Sequence, residues 1–290
     1  MTVASPAQTL SPARVRDHIV DVLIAERAPK LAASPAWPML RPLLYSFLDY
    51  GKARRMADAI GPLPGRAALE HVADLLRVKV EARGLENVPT QGRLIVVCNH
   101  PTGIADAIAV YDALKAIRPD ICFYANSDAH RVSPRFDEVL IPVEWVEAKR
   151  TRERTRETLM LTRAALEAER CLVIFPAGRL ARMQADGRLA DPPWAPSAVS
   201  LARRYEAPIL PVHMAGPWSG MFHLFNRFST ELRDITLFHE LLNKRGRAFA
   251  LAVGAPILPE VLEGEPTDVA LRLKRFVERD LAAHPGLAFA

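Results

Sequence analysis

The sequence predicts an α/β protein: a central mixed, mostly parallel sheet flanked by helices, with an N-terminal helical hairpin. Three observations carry this reading. Short, β-branched apolar runs recur from Val78 onward, stretches of helical period separate them, and the first 75 or so residues read as helices throughout. Residues 1–75 are therefore expected to form a helical segment, for which a membrane-interfacial position is one of two readings, and residues 76–290 the main domain.

The elements follow in order. Ser11-Pro12 is an N-cap and N1 pair, and behind it Val15, Ile19, Val22 and Leu23 share a face. Residues 35–56, PAWPMLRPLLYSFLDYGKARRM, mix Trp37, Met39, Leu43, Leu44, Phe47 and Leu48 with Arg41, Lys52, Arg54 and Arg55. That pattern suits either a hairpin packed on the main domain or an interfacial helix with apolar residues in the acyl boundary and cations at the headgroups. RVKVEARGLENVP alternates as a half-buried strand and then turns, and RLIVVCN is a continuous buried strand. Ile104 to Ile117 has helical period, with Ile104, Ile108, Tyr111 and Leu114 on one side. ICFYA and VLIPVEWV read as strands, and Thr151 to Glu169 as a charged helix. CLVIFP is a strand that stops at Pro176-Ala177-Gly178. Pro196 to Tyr205 is helical. APILPVHMA carries two prolines, which puts it at an edge or beside a loop. AFALAVGAPI is a last strand and Thr267 to Ala283 a last helix. Sites in such sheets collect beyond the carboxyl ends of strands, where His100 and Gly178 both fall.

Composition narrows the class. With 290 residues, half of them hydrophobic, the chain can bury a large core. The net charge of +5 suits an anionic membrane surface, nucleic acid or a phosphorylated substrate without choosing among them. No recognition motif or basic-aromatic stripe points to nucleic acid, and no Gly-rich nucleotide loop is present. The three cysteines, Cys98, Cys122 and Cys171, sit in apolar strands with no CxxC spacing, so neither a disulfide framework nor a zinc site is expected, and a reducing compartment is the default. No run is long and apolar enough to cross a membrane, and the N-terminus lacks the order of a signal peptide. Membrane contact is thus expected to be peripheral, on the inner face of the cell membrane, from the cytoplasm.

The chemistry is concentrated in VVCNHPTGIAD, residues 96–106. Pro101 ends the strand because it lacks an N–H for the ladder. Thr102 is placed to cap the following helix, which brings Asp106 into its first turn. A carboxylate that accepts one ring N–H of His100 fixes the tautomer and leaves the other nitrogen as a base. This is the base and orienter of a hydrolase triad without its serine, so the substrate would bring the nucleophile. A hydrogen bond across a tight turn, with no catalytic role, is the competing reading of the same spacing.

NHPTGIAD resembles the His-Asp box of the glycerolipid acyltransferases, the family that includes 1-acylglycerol-3-phosphate acyltransferases, with five residues between His and Asp where the commoner box has four. LVIFPAGRLAR, residues 172–182, resembles the second box, often Phe-Pro-Glu-Gly-Thr-Arg. APILPVHMAGP, residues 207–217, resembles the third. VLIPVEW is similar to the intervening block. LRPLLYSFLDYG, GLENVPTQGRLIVVCNHP and HELLNKRGRAFALAVGAPI are similar to bacterial hemolysin-like members, some of which relate to ornithine-lipid synthesis. The resemblance spans about residues 40–260. It implies an acyltransferase domain over residues 76–290 that moves a fatty acyl group from an acyl carrier protein or coenzyme A thioester to a lyso-lipid hydroxyl, with no cofactor beyond that co-substrate and no metal. His100 would be the general base and Asp106 its orienter. Asn99, Phe175, Pro176, Gly178, Arg179, Arg182 and Pro211 would bind substrate, and backbone amides of the Phe175–Gly178 turn would face the oxyanion. Ala177 stands where members using glycerol phosphate often carry Glu, which weakens the case for a glycerol-phosphate acceptor and leaves room for an aminoacyl lyso-lipid. The rival readings are a thioesterase or lipid hydrolase, in which water replaces the acceptor, and a non-catalytic lipid or carrier-protein binding module.

Other features weigh less. Cys98 shares a strand face with His100 and could form an acyl-enzyme, but a cysteine in an apolar strand is usually packed. Arg152 with Arg156 and Glu153 with Glu157 form like-charge stripes of a solvated helix, the alternative being a docking face for an acidic carrier protein. His213 reads as structural, and His130, His223 and His239 have no metal-ligand spacing. Trp194, Trp218, Met221, Phe222 and Phe225 belong either to the core or to a lipid-contacting wall.

Overall fold

The computed structural model describes residues 17–144, 150–184 and 186–290. The strands are β1 (Lys79–Arg83), β2 (Leu94–Cys98), β3 (Cys122–Asn126), β4 (Leu140–Val143), β5 (Cys171–Ile174), β6 (Arg182–Met183), β7 (Leu189–Ala190), β8 (Ile209–Ala215) and β9 (Ala248–Val253). β6 and β7 form a short antiparallel ribbon, and the others make a seven-stranded sheet in the order β1-β9-β8-β2-β5-β3-β4. Within that sheet only β8 and β9 pair antiparallel. The expected mixed, mostly parallel α/β sheet is the observed one.

Strand periodicity divides the core into two layers. Leu94, Val96 and Cys98 of β2, with Cys171 and Val173 of β5, join one cluster; Ile95, Val97, Leu172 and Ile174 join the other. Both faces are covered, which is why these central strands read as unbroken apolar runs. Edge strand β1 instead alternates in exposure and carries Lys79, Glu81 and Arg83 outward, charges that discourage edge pairing.

The first helices are α1 (Ile19–Arg27), α2 (Pro29–Ala32), α3 (Trp37–Phe47), α4 (Tyr50–Ile60) and α5 (Gly65–Leu76). α3 and α4 are the expected hairpin, turned at Asp49, whose φ of 56° is left-handed. Asp21 of α1 ties the group together by accepting from Arg41 at 2.8 Å, from the Tyr45 hydroxyl at 2.9 Å and from the Tyr50 hydroxyl. These helices share a small core of Val20, Ile24, Leu48 and Ala53 with Ile235, while α5 puts Leu69, Val72 and Leu76 into the large core of the sheet domain. Ser11, Pro12 and Val15 lie outside the described residues, as do Trp145 and Val146 beyond β4.

Three local expectations are corrected. Of the two places expected for the strand with two prolines, at an edge or beside a loop, the edge is excluded: β8 lies between β2 and β9. The Pro211 carbonyl accepts from Gly254 N–H at 2.9 Å, so the Pro211 nitrogen faces the same side, where the ladder breaks between the Val212–Val253 pair and the Ile209–Ile257 bridge. The missing N–H falls in that gap. Thr102 is not the helix cap, because Gly103 takes that position with a φ of 100°, open to glycine alone. The helix expected over 267–283 is regular only from Pro266 to Arg275 and then widens into a π turn over Phe276–Asp280.

Candidate active site

β2 and β5 are parallel neighbours in register, Val97 opposite Ile174, so their carboxyl ends bring His100 and the Phe175–Gly178 turn side by side. After Cys98 the chain turns through Pro101 and Gly103 into α6 (Ile104–Leu114). A Cβ on Gly103 would stand 3.2 Å from Leu180, so the turn and the second loop pack closely.

This turn returns Asp106 to His100. His100 Nδ1 lies 2.9 Å from Asp106 Oδ2. The same oxygen accepts the N–H of Thr102 at 2.9 Å and of Gly103 at 3.1 Å, and the other accepts the Thr102 hydroxyl. Asp106 is fully buried, so these donors replace water around its charge. With Nδ1–H donated to the carboxylate, the lone pair sits on Nε2. Phe175 covers one face of the imidazole, with ring centroids 4.4 Å apart.

The residues singled out in the sequence divide by place. Asn99 is buried and staples the end of β2 to β8, donating to the Met214 carbonyl at 2.8 Å and accepting from its N–H at 2.7 Å. Phe175 and Pro176 are buried beside His100, and Gly178 turns the loop with a φ of 62°. Two backbone amides are already used: Gly178 N–H donates to the Phe175 carbonyl and Ala181 N–H to the His100 carbonyl. Neither is free for an oxyanion. Arg179 is exposed. Arg182 is half-buried, its Nη1 has no hydrogen-bond partner among the described residues, and its guanidinium lies 5.4 Å from the Phe222 ring centroid. Burial, then the like charge of Arg233, pushes the Arg182 pKa below its ordinary value. Pro211 is buried within the sheet, level with Val97 and short of the strand end that carries Asn99's partner Met214.

Cys98 is packed. Burial first, and then the nearby carboxylates Asp106 and Asp191, push its thiol well above the usual range, the opposite of what a nucleophile requires. His213 bonds the Val277 carbonyl at 3.0 Å and burial lowers its pKa, a structural role. Trp194 and Phe222 are core residues, whereas Trp218 is half exposed.

One group at the site escaped the sequence reading. Asp191, just after β7, accepts the His100 backbone N–H through both oxygens at 3.1 and 3.2 Å, and the Trp194 indole N–H at 2.9 Å. Burial pushes its carboxyl up to about 6, against these hydrogen bonds and the pull of His100. The signal in the sequence is DPPW, a lone carboxylate held rigid before a tryptophan.

Among the described residues no helix is long and apolar enough to cross a membrane. α3 nevertheless exposes Met39, Leu43 and Phe47, and a later helix, Gly220–Phe228, exposes Leu224 and Phe228.

Residues 79–215 match the family model described as Acyltransferase. Two curated relatives are similar to this chain. A lyso-glycine lipid O-acyltransferase of Phocaeicola vulgatus is 27% identical over 65% of this chain and 68% of its own length. A protein of the same name from Bacteroides thetaiotaomicron is 24% identical over 65% and 70%. The crystal structure of the 1-acyl-sn-glycerophosphate (LPA) acyltransferase PlsC from Thermotoga maritima aligns over 91% of this chain and 96% of its own, at a TM-score of 0.47 and 15% identity.

Proposed function

We propose that the chain is an O-acyltransferase that moves a fatty acyl group from a thioester to the hydroxyl of a lyso-lipid; the match of residues 79–215 to the Acyltransferase model and the likeness to two lyso-glycine lipid O-acyltransferases support this reading. The observation that carries the mechanism is the 2.9 Å bond between His100 Nδ1 and the fully buried Asp106. The acceptor hydroxyl gives its proton to His100 Nε2 as its oxygen attacks the thioester carbonyl. Asp106 stabilises the imidazolium that forms. Collapse of the tetrahedral adduct expels the thiolate of coenzyme A or of an acyl carrier protein, which takes the proton back from His100. Ester and free thiol are the products, and no acyl-enzyme is needed, which suits the inert, buried Cys98.

The acceptor proposed is an N-acyl amino-acid lipid with a free carboxylate. The relatives named for lyso-glycine lipid support this class, and Ala177 in place of the usual Glu speaks against glycerol phosphate. Arg182 has the chemistry for such a headgroup: its Nη1 has no hydrogen-bond partner among the described residues, it lies close to the segment bonded to His100, and it feels the charges of Arg233, Asp234 and Arg179. Arg179 is the exposed second cation. The exposed apolar face of α3, with Met39, Leu43 and Phe47, fits the acyl boundary of an anionic bilayer and suits a peripheral position on the inner face of the cell membrane.

Acyl transfer from labelled acyl carrier protein and acyl-coenzyme A, over lyso-glycine lipid, lyso-ornithine lipid, lysophosphatidic acid and lysophospholipids, tests the reading. Ester formation with an amino-acid lyso-lipid, abolished in His100→Ala, is the expected result. Release of free fatty acid alone would make the protein a hydrolase.

A further inference from the structure

We propose that Asp191 is a positioning residue for the reaction, holding the backbone of His100 in the geometry that joins its imidazole to Asp106. The inference rests on the acyltransferase reading and adds a second carboxylate to its site.

His100 lies two residues beyond the end of β2 at Cys98, so its N–H has left the sheet ladder. A buried N–H without an acceptor is costly. Asp191 supplies that acceptor with both oxygens, at 3.1 and 3.2 Å, while the His100 carbonyl takes the Ala181 N–H at 2.9 Å. Both backbone groups of His100 are therefore fixed from outside its own turn. The imidazole is held a third time by Asp106, so Asp106 sets the ring and Asp191 sets the peptide from which the ring projects.

Asp191 is itself anchored. The Trp194 indole donates to Oδ2 at 2.9 Å, and the Asp191 N–H donates to Glu278 Oε1 at 2.6 Å. Glu278 sits in the π turn over Phe276–Asp280 and pairs with Lys274 one turn earlier. A π turn is an irregularity that recurs at functional sites. Here it carries Glu278 onto the Asp191 backbone and Val277 O onto His213. The charged groups facing Asp191 are thus His100 and Glu278, with Lys274 behind the latter. A neutral amide would also have filled this space, but its NH2 would face a donor in either orientation, the indole N–H on the Oδ2 side or the His100 N–H on the Oδ1 side. The site requires a group that only accepts.

That requirement supplies the test. Asp191→Ala should lower kcat at least tenfold with the KM values for donor and acceptor within threefold of wild type. Asp191→Asn should be impaired as well, and Asp191→Asn combined with Trp194→Phe, which removes the opposing donor and leaves an oxygen for His100 N–H, should recover at least half of the lost log kcat. Rescue by deleting an indole N–H is not the behaviour of a packing residue. In parallel, hydrogen exchange over the peptide containing residues 96–103 should accelerate in Asp191→Ala and return towards wild type in the double variant. Asp191→Ala with kcat within threefold of wild type, or a double variant no better than Asp191→Asn, overturns the proposal. Should the alanine variant fail to fold, the comparison of the two asparagine variants decides. Should wild type show no transfer on the whole lipid panel, the functional reading fails by itself; the exchange measurement then decides whether Asp191 holds His100, and unchanged exchange refutes it.

Discussion

Replacing Asp106 separates the charge of this residue from its hydrogen bonds. Asp106→Ala strands the His100 Nδ1–H and the Thr102 and Gly103 amides around a position that is itself fully buried. At about 1–3 kcal/mol for each stranded donor, the loss is roughly 3–6 kcal/mol, allowing for partial relaxation and water entry. That is a large part of the stability expected of a domain, about 5–15 kcal/mol. Asp106→Asn behaves differently. Its single oxygen can stay on the Oδ2 side and keep all three N–H donors, and its NH2 can donate to the Thr102 hydroxyl, which rotates to accept. The expected cost is about 1 kcal/mol, a fall in Tm of about 2–4 °C for a chain of this size. What the amide loses is the charge opposite the imidazolium. We expect kcat to fall by about 10²–10⁴-fold, or about 3–5 kcal/mol of barrier, with KM little changed. Thermal unfolding by circular dichroism and initial-rate transfer assays measure the two effects. An asparagine variant that retains more than a tenth of wild-type kcat would refute the orienter role of the carboxylate. An alanine variant as stable as wild type would refute the weight given to its hydrogen bonds.

Further outcomes follow from the same geometry. Gly103→Ala forces an L-residue to a φ of 100° and a Cβ to 3.2 Å from Leu180; the expected cost is about 1–3 kcal/mol, with reduced kcat, and a wild-type Tm by calorimetry would count against the close packing. Arg182→Ala should raise the KM for a carboxylate acceptor about 10–100-fold while the donor KM stays put; equal changes in both would remove Arg182 from the headgroup site. Asp191 gives a pH signature. Its carboxyl, pushed up to about 6 from an ordinary 3.8, holds in the folded state a proton that the unfolded chain releases near pH 4. Its contribution to stability is therefore full below pH 4 and is lost as pH rises through 6, by about 3 kcal/mol. Urea unfolding across that window should show the loss in wild type and not in Asp191→Asn, and identical profiles would contradict the assignment. Leu43→Asp with Phe47→Asp should abolish sedimentation with anionic vesicles while leaving the fold intact, and unimpaired sedimentation would exclude α3 as the lipid-facing helix.

The sequence by itself determined the sheet class, the two carboxyl-end loops and the His100–Asp106 pair. Each is a local signal: unbroken apolar strands, prolines and glycines that stop them, and a carboxylate in the first turn after a histidine. The α3–α4 hairpin was legible for the same reason. Other features depended on which distant segments meet. The central place of β8 needed its partners, because Pro211 is tolerated only where the break beside Gly254 faces its nitrogen. Gly103, not Thr102, caps α6 because the backbone there takes a φ of 100°, open to glycine alone, and Leu180, 77 residues away, crowds the place of a Cβ. Asp191 is 91 residues from His100, and Glu278 a further 87 from Asp191. No spacing rule joins them; tertiary packing does, by laying the segment after β7 and the π turn beside the end of β2, where a buried amide must find an acceptor wherever the chain supplies it.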